Sequence, residues 1–372
     1  MADAGLSGLI LNAVYHPITA LSARQSAAIF SLPDGGAFFP ANPKGYGRLR
    51  PLVSADAEVT AVWRQVGAAA HDRGMFLDAW VVGLFQPGLA RAFPDTARRF
   101  VTGAVNDHGL CPSAPDVVEH VEGVVSDLIG NLGVRFVRLE AFDYPQYDYG
   151  WTRRRVMTPV SPLARDILSL CFCRSCVARA ANQGIDVDQL RHRLSGILES
   201  ELRGDRFTKC AVHELSDPEA EVYVATMNSS VDELLHRAAE SARRSAGIPA
   251  LMISARERTA RAPRDFVSIL PQLGGLMVEG ASAARELEPG VRSKLVVDSP
   301  VFPWALINGD SAVADEVVRQ LDLDPTVDEA SIYHFGLLNN RQFKVILKGV
   351  QDHLRTRRTA DGVAGWEGHG TA

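Results

Sequence analysis

The segment Val134–Trp151, VRFVRLEAFDYPQYDYGW, begins as an apolar, β-branched run and ends in a loop rich in aspartate and tyrosine. The run has the character of a strand buried on both faces, as found in parallel sheets. The strand candidate is 134–142 (VRFVRLEAF), and an acid, Glu140, falls at its C-terminal end. Seven further runs have the same build: 8–14 (GLILNAV), 36–40 (GAFFP), 75–82 (MFLDAWVV), 249–254 (PALMIS), 273–280 (LGGLMVEG), 293–301 (SKLVVDSPV) and 330–338 (ASIYHFGLL). Helical patterns fall between several of them, at 56–73, 114–132, 161–182, 216–246, 310–321 and 340–355. Asp56 and Ser113 are the expected N-caps, and Gly74 and Gly133 the expected helix stops.

Strands that alternate with helices imply parallel βαβ units. About eight such units in ~350 residues fit a (β/α)8 TIM barrel better than an open doubly wound sheet. The dinucleotide fingerprint of the latter is missing after the first strand, where NAVYHP stands instead. There is also no P-loop, no nucleophile elbow and no H-E-x-x-H. The expected layout is a single barrel domain over 1–355 with decorated loops, a polar helical insertion at 183–216 and a flexible tail at 356–372.

Composition narrows the class. The chain has 372 residues, 46% hydrophobic and 22% charged, with a net charge of −5. That balance gives no electrostatic footprint for nucleic acid. No apolar stretch approaches the ~18 residues of a membrane span, and the N-terminus lacks the basic start of an export signal. The expectation is a cytoplasmic protein acting on a small molecule, with its thiols reduced and a homo-oligomeric state left open.

Three of only five cysteines crowd into LSLCFCRSCVARA at 168–180: Cys171, Cys173 and Cys176. Structural zinc asks for four thiolate or imidazole ligands in a tetrahedron. One tight turn supplies three here, and Cys111 or Cys210 is left for the fourth. Thiols packed as small hydrophobes beside a helix are the plainer reading.

A lone cysteine, a strand ending in glutamate, and C-x-C-x-x-C before a helix together resemble the family 42 glycoside hydrolases, a group of (β/α)8 β-galactosidases. The chain also resembles uncharacterised alanine-rich bacterial barrel proteins that carry LCFC with LCPS upstream. The family 42 resemblance covers roughly residues 105–180. It implies a structural zinc on Cys111, Cys171, Cys173 and Cys176, with Cys210 free, no organic cofactor, and Glu140 as the acid/base carboxylate. Leu139 stands where that family has an asparagine that binds the sugar 2-hydroxyl, a departure that implies a different substrate or reaction.

Barrel enzymes draw their site from strand C-termini and the loops beyond. A carboxylate there can serve as a general acid, and glycosidases need a second one across the scissile bond. Glu279 (LMVEGAS) and Asp298 (LVVDSPV) each end an apolar run, on strands six and seven if Glu140 is on strand four. His16, Asp78, Trp80, Asn106, Asp143 and His334 complete a ring of polar strand-end residues for substrate. Trp80, Tyr144, Tyr147, Tyr149 and Trp151 are candidate flat faces for a sugar ring. The run Arg153–Arg155, centred on Arg154, suits an anionic group, although such runs are commonly solvated loops. Loop 39–51 is expected to cover the barrel mouth.

Three functions fit this reading. The first is a glycosidase-like hydrolase of a sugar or glycosylated small molecule. The second is a lyase or isomerase pairing Glu140 with His16 or His334, and the third a non-catalytic carbohydrate-binding barrel.

Overall fold

The computed structural model describes residues 6–22, 29–55, 57–150, 156–254, 269–279, 295–300, 327–333, 339–341, 343–345, 347–348 and 351. In chain order the strands are β1 (Gly8–Tyr15), β2 (Ile18–Leu21), β3 (Ile29–Leu32), β4 (Gly36–Ala37), β5 (Phe76–Val82), β6 (Ala97–Arg99), β7 (Val105–Leu110), β8 (Val137–Glu140), β9 (Leu251–Ser254), β10 (Gly275–Glu279), β11 (Leu295–Pro300) and β12 (Val327–Tyr333). The helices are α1 (Ala57–His71), α2 (Pro87–Ala92), α3 (Pro115–Leu132), α4 (Pro162–Ser169), α5 (Arg174–Ala181), α6 (Val187–Arg203) and α7 (Pro218–Ala246). The expected helix at 310–321 and the tail at 356–372 lie outside the described residues.

The chain forms two compact units. The larger comprises 7–19 and 31–276; the smaller comprises 1–6, 20–30 and 277–372. In the larger unit the sheet order is β9-β8-β5-β1-β4. The first four strands run parallel, and α1, α3 and α7 make the crossovers between them. This is the βαβ succession expected from the alternating pattern. In the smaller unit β11 and β12 pair in parallel from Leu295↔Val327 to Pro300↔Tyr333.

One expected strand behaves differently. Segment 36–40 contributes only β4, which turns back antiparallel on β1 through Val14↔Ala37 and Tyr15↔Gly36. Gly35 and Gly36 permit the reversal with φ of 65° and 139°. A Cβ on Gly35 would lie 2.4 Å from the Tyr15 carbonyl oxygen. Glu140 therefore closes the third parallel strand in chain order, after β1 and β5, rather than the fourth.

Register fixes which residues share a face. Trp80 pairs with Arg138, and Val82 with Glu140. Asp78, Trp80, Arg138 and Glu140 thus point to one side, and Ala79, Val81 and Leu139 to the other. Against the second side lies α3, whose His120, Val121, Val124 and Val125 line a small void with Val81, Leu139 and Phe142.

Loop 39–51 is tied to α3 along that helical layer. The Asn42 N–H and Tyr46 hydroxyl both donate to Asp127 Oδ2 at 2.7 Å. Arg48 bridges Asp95 and Asp116, each at 2.6 Å. The expectation that this loop covers the mouth missed these partners, which lie from 47 to 85 residues away in sequence.

The cap of α3 also differs from expectation. Its N-cap is Ala114, with Pro115 in the first turn, and Ser113 is used elsewhere. Gly133 ends the helix in the left-handed conformation, as expected. The 161–182 helix is broken in two at Leu170–Cys173, where the cysteine turn interrupts it.

His120 gives this layer a pH signature. Its ring is buried and its Nδ1–H donates to the Leu49 carbonyl at 3.2 Å. Burial lowers its pKa from 6.5 to about 4. Above pH ~6.5 the ring is neutral in folded and unfolded chains alike, and its contribution is intact. As pH falls toward 4, the unfolded chain takes up a proton that the folded chain refuses. Stability is therefore lost over that window, about 3 kcal/mol in all. Chemical denaturation between pH 7 and 4 should show a steeper decline for the natural chain than for His120→Gln.

Candidate functional site

The site begins with β8. Its last residue, Glu140, is half-buried, and its Oε2 accepts a 2.7 Å hydrogen bond from Trp80 Nε1 on the adjacent strand. Oε1 carries no hydrogen bond among the described residues. The next residue, Ala141, has φ of 58°, a left-handed conformation that side-chain-bearing residues seldom adopt. The turn is held from both sides: Gly83 N–H donates to Glu140 O at 2.8 Å and Leu84 N–H to Ala141 O at 3.0 Å. Gly83 is required here, because a Cβ would meet the Phe142 ring at 2.0 Å. A residue in the conformation of Ala141 is strained, and here it directly follows a carboxylate that closes a parallel strand.

Around this end of the sheet stands a collar of rings. Phe85 packs against His16 at 5.4 Å, lies nearly parallel to His108 at 6.4 Å and meets Tyr149 edge-on at 5.0 Å. His16 also stacks on Tyr15 at 4.4 Å, and its Nδ1–H donates to the Pro17 carbonyl. His108 Nδ1 lies 2.9 Å from Asp107 Oδ1. Asn106 is buried beneath, its Oδ1 accepting from the His108 N–H at 3.1 Å. Phe85 and His108 were not among the candidates. The β6–β7 ribbon that carries His108 is antiparallel and short, and no pattern in the sequence announces it. Asn12, exposed on β1 in register with Trp80, was missed as well.

Asp78 has a structural position. Both it and Arg138 are fully buried; Arg138 donates to Asp78 Oδ2 at 2.6 Å, and Arg135 donates at 2.8 Å. Breaking such a buried pair costs about 3–5 kcal/mol, and its oxygens are spent on arginines. Asp143 is likewise buried and accepts the Tyr144 N–H at 2.6 Å. Glu279 and Asp298 stand on β10 and β11, but their side chains are outside the described set. Trp151, Arg153, Arg154, Arg155 and His334 lie outside the described residues altogether.

Tyr144 is no sugar platform. It is 1% exposed, and its hydroxyl lies 2.8 Å from Ser113 Oγ and 3.3 Å from Cys176 Sγ. The four cysteines meet there. Cys111 Sγ is 3.4 Å from Cys173 Sγ, 3.5 Å from Cys176 Sγ and 3.8 Å from Cys171 Sγ, and all four sulfurs lie within 4.8 Å of one another. A disulfide needs ~2.05 Å, so these are free thiols. A metal with ~2.3 Å bonds to sulfur gives tetrahedron edges of about 3.8 Å. The buried cluster fits that geometry and could hold a metal ion.

Burial and the neighbouring thiols push the Cys111 thiol well above its ordinary range. Burial also opposes the Cys171 thiolate, yet hydrogen bonds from the other three thiols and the charge of Arg98 carry it well below that range. Cys210 stands apart, half-buried beyond α6.

No protein-family model and no curated protein sequence matches this chain. Solved structures do. α-L-Fucosidase isoenzyme 2 from Paenibacillus thiaminolyticus superposes with a TM-score of 0.53 at 15% identity, over 87% of this chain and 43% of that one. The β-galactosidase from the psychrophilic Marinomonas ef1 gives 0.50 at 13%, over 81% and 53%. The chain thus spans about half the length of the solved relatives it matches. The likeness is one of fold, to these two glycoside hydrolases. Among the described residues no helix is long and apolar enough to cross a membrane.

Proposed function

We propose that the protein is a glycosidase-like hydrolase whose strands close into a (β/α)8 barrel, with Glu140 as the general acid/base. The observation that carries this reading is Glu140 itself. It is a half-buried carboxylate at the C-terminal end of a parallel strand, fixed through one oxygen by Trp80, with a strained residue after it and aromatic rings around it.

Hydrolysis of a glycosidic bond needs a proton delivered to the leaving oxygen, and a carboxyl group oriented through one oxygen can deliver it from the other. His16, partly exposed, and Tyr149, exposed, supply flat ring faces of the kind that pack against a sugar, backed by the buried Phe85. The second carboxylate is assigned on chemical grounds to Glu279, the last residue of β10, or to Asp298, within β11. Leu139 offers no amide to a 2-hydroxyl, so contact with that hydroxyl falls to another residue, and Asn12 is the exposed amide in register with Trp80.

The four cysteines are assigned a structural zinc, in line with the family 42 resemblance. Four protein ligands would leave no open position on it, so it would act as a cross-link only. The fold likeness directs the assay toward α-L-fucosides and β-D-galactosides. Turnover of a 4-nitrophenyl α-L-fucoside or β-D-galactoside should be detectable and saturable. Absence of turnover across a panel of 4-nitrophenyl hexosides and pentosides, with those sugars still bound, would favour the carbohydrate-binding reading instead.

A further inference from the structure

Arg98, on β6, is 2% exposed. One of its terminal nitrogens donates to the Ser169 carbonyl at 2.9 Å, while its Nε is buried with no hydrogen-bond partner. No carboxylate of the described residues pairs with it. A guanidinium stays charged at every accessible pH, and a buried charge without a counter-charge costs several kcal/mol.

Its surroundings identify the counter-charge. The guanidinium carbon lies 5.9 Å from the centre of the Tyr144 ring, whose hydroxyl touches Cys176 and Cys111. The carbonyl it binds, at Ser169, is two residues before Cys171. Phe172, between the first two cysteines of the turn, donates its N–H to the Arg99 carbonyl at 2.7 Å, tying β6 to the cysteine turn.

Among the described residues, only negative charge on the cysteine cluster can match Arg98. Four thiolates around a divalent ion carry a net charge of −2, and one buried cation halves it. We infer that Arg98 is the charge-balancing residue of a divalent metal–tetrathiolate centre, acting across the Tyr144 ring without touching the metal. The inference rests on the metal reading of the cysteine cluster. Arg98 is a positioning and compensating group for that centre, with no contact to substrate.

The test is metal affinity, read by competition with a chromophoric chelator for Zn2+ and by the charge-transfer and d–d spectrum of Co2+. Arg98→Met, close in length and uncharged, should bind Zn2+ 10–100-fold more weakly, the usual cost of losing an outer-shell partner. Arg98→Lys should stay within a few-fold of the natural chain. The Co2+ spectrum should remain that of a tetrahedral tetrathiolate in both. Should Arg98→Met not fold, the ratio between Arg98→Gln and Arg98→Lys reads the same quantity. Equal affinity for the charged and uncharged variants overturns the inference while leaving the metal site standing. Failure of the natural chain to bind Zn2+ or Co2+ at all overturns the metal reading first, and the inference with it.

Discussion

Glu140→Gln should lower kcat on a 4-nitrophenyl glycoside by about 10²–10⁴-fold, the range expected for loss of a positioned acid or base, with KM and Tm little changed. The substitution is nearly isosteric. Its amide oxygen can still accept from Trp80 Nε1, so the side chain should keep its place on β8. What it loses is the ability to give up or take a proton. A fall confined to kcat would mark an interaction made in the transition state rather than in substrate binding. Trp80→Phe provides the complementary case, since it keeps the carboxyl group and releases its orientation. A smaller loss is expected there, and a fold intact by circular dichroism would separate positioning from packing.

On the structural-zinc reading, removal of the metal should act on stability before chemistry. The cysteine knot joins the chain just past β7, the turn between α4 and α5, and the loop after Glu140 through Tyr144. Losing one ligand, as in Cys173→Ser, leaves a buried polar cluster without its cross-link. At about 4 kcal/mol, and with about 1.3 °C per kcal/mol for a chain of 372 residues, Tm should fall by about 5 °C. Chelator should lower Tm to a similar degree, with activity following the folded fraction. Immediate loss of turnover at unchanged Tm would place the metal at the reacting centre and contradict a purely structural role.

The parallel strands and their helices were legible because each is a short apolar run set between amphipathic segments, and a strand buried on both faces has few other ways to read. Cys111 and the C-x-C-x-x-C turn were legible for a different reason: cysteine is scarce in this chain, so its clustering stands out. What escaped was anything set by partners distant in sequence. Asp78 looks like a mouth residue until Arg138, 60 positions away, takes its carboxylate. Tyr144 looks like a platform until its hydroxyl is found against Ser113 and Cys176. Ser113 was an expected helix cap, and it is occupied with Tyr144 instead.

The Glu140 turn shows the same limit at close range. The left-handed residue after it is an alanine, so the usual glycine or asparagine signal is missing, and the conformation follows from hydrogen bonds to Gly83 and Leu84. His108 was overlooked because a strand of β7's kind, short and antiparallel, leaves no periodic trace. The strand count slipped by one for a related reason: GAFFP has strand composition, but the glycines before it send the chain back against β1.

The most direct test of Glu140 as proton donor is the activity of Glu140→Ala on two glycosides of the same sugar with different leaving groups. A 2,4-dinitrophenyl glycoside departs without help, whereas an alkyl glycoside needs a proton at its oxygen. On this account the variant keeps much of the natural first-step rate on the former and loses most of it, about 10³-fold or more, on the latter. Equal losses on both would show that Glu140 does not protonate the leaving group, and would contradict the account at its centre.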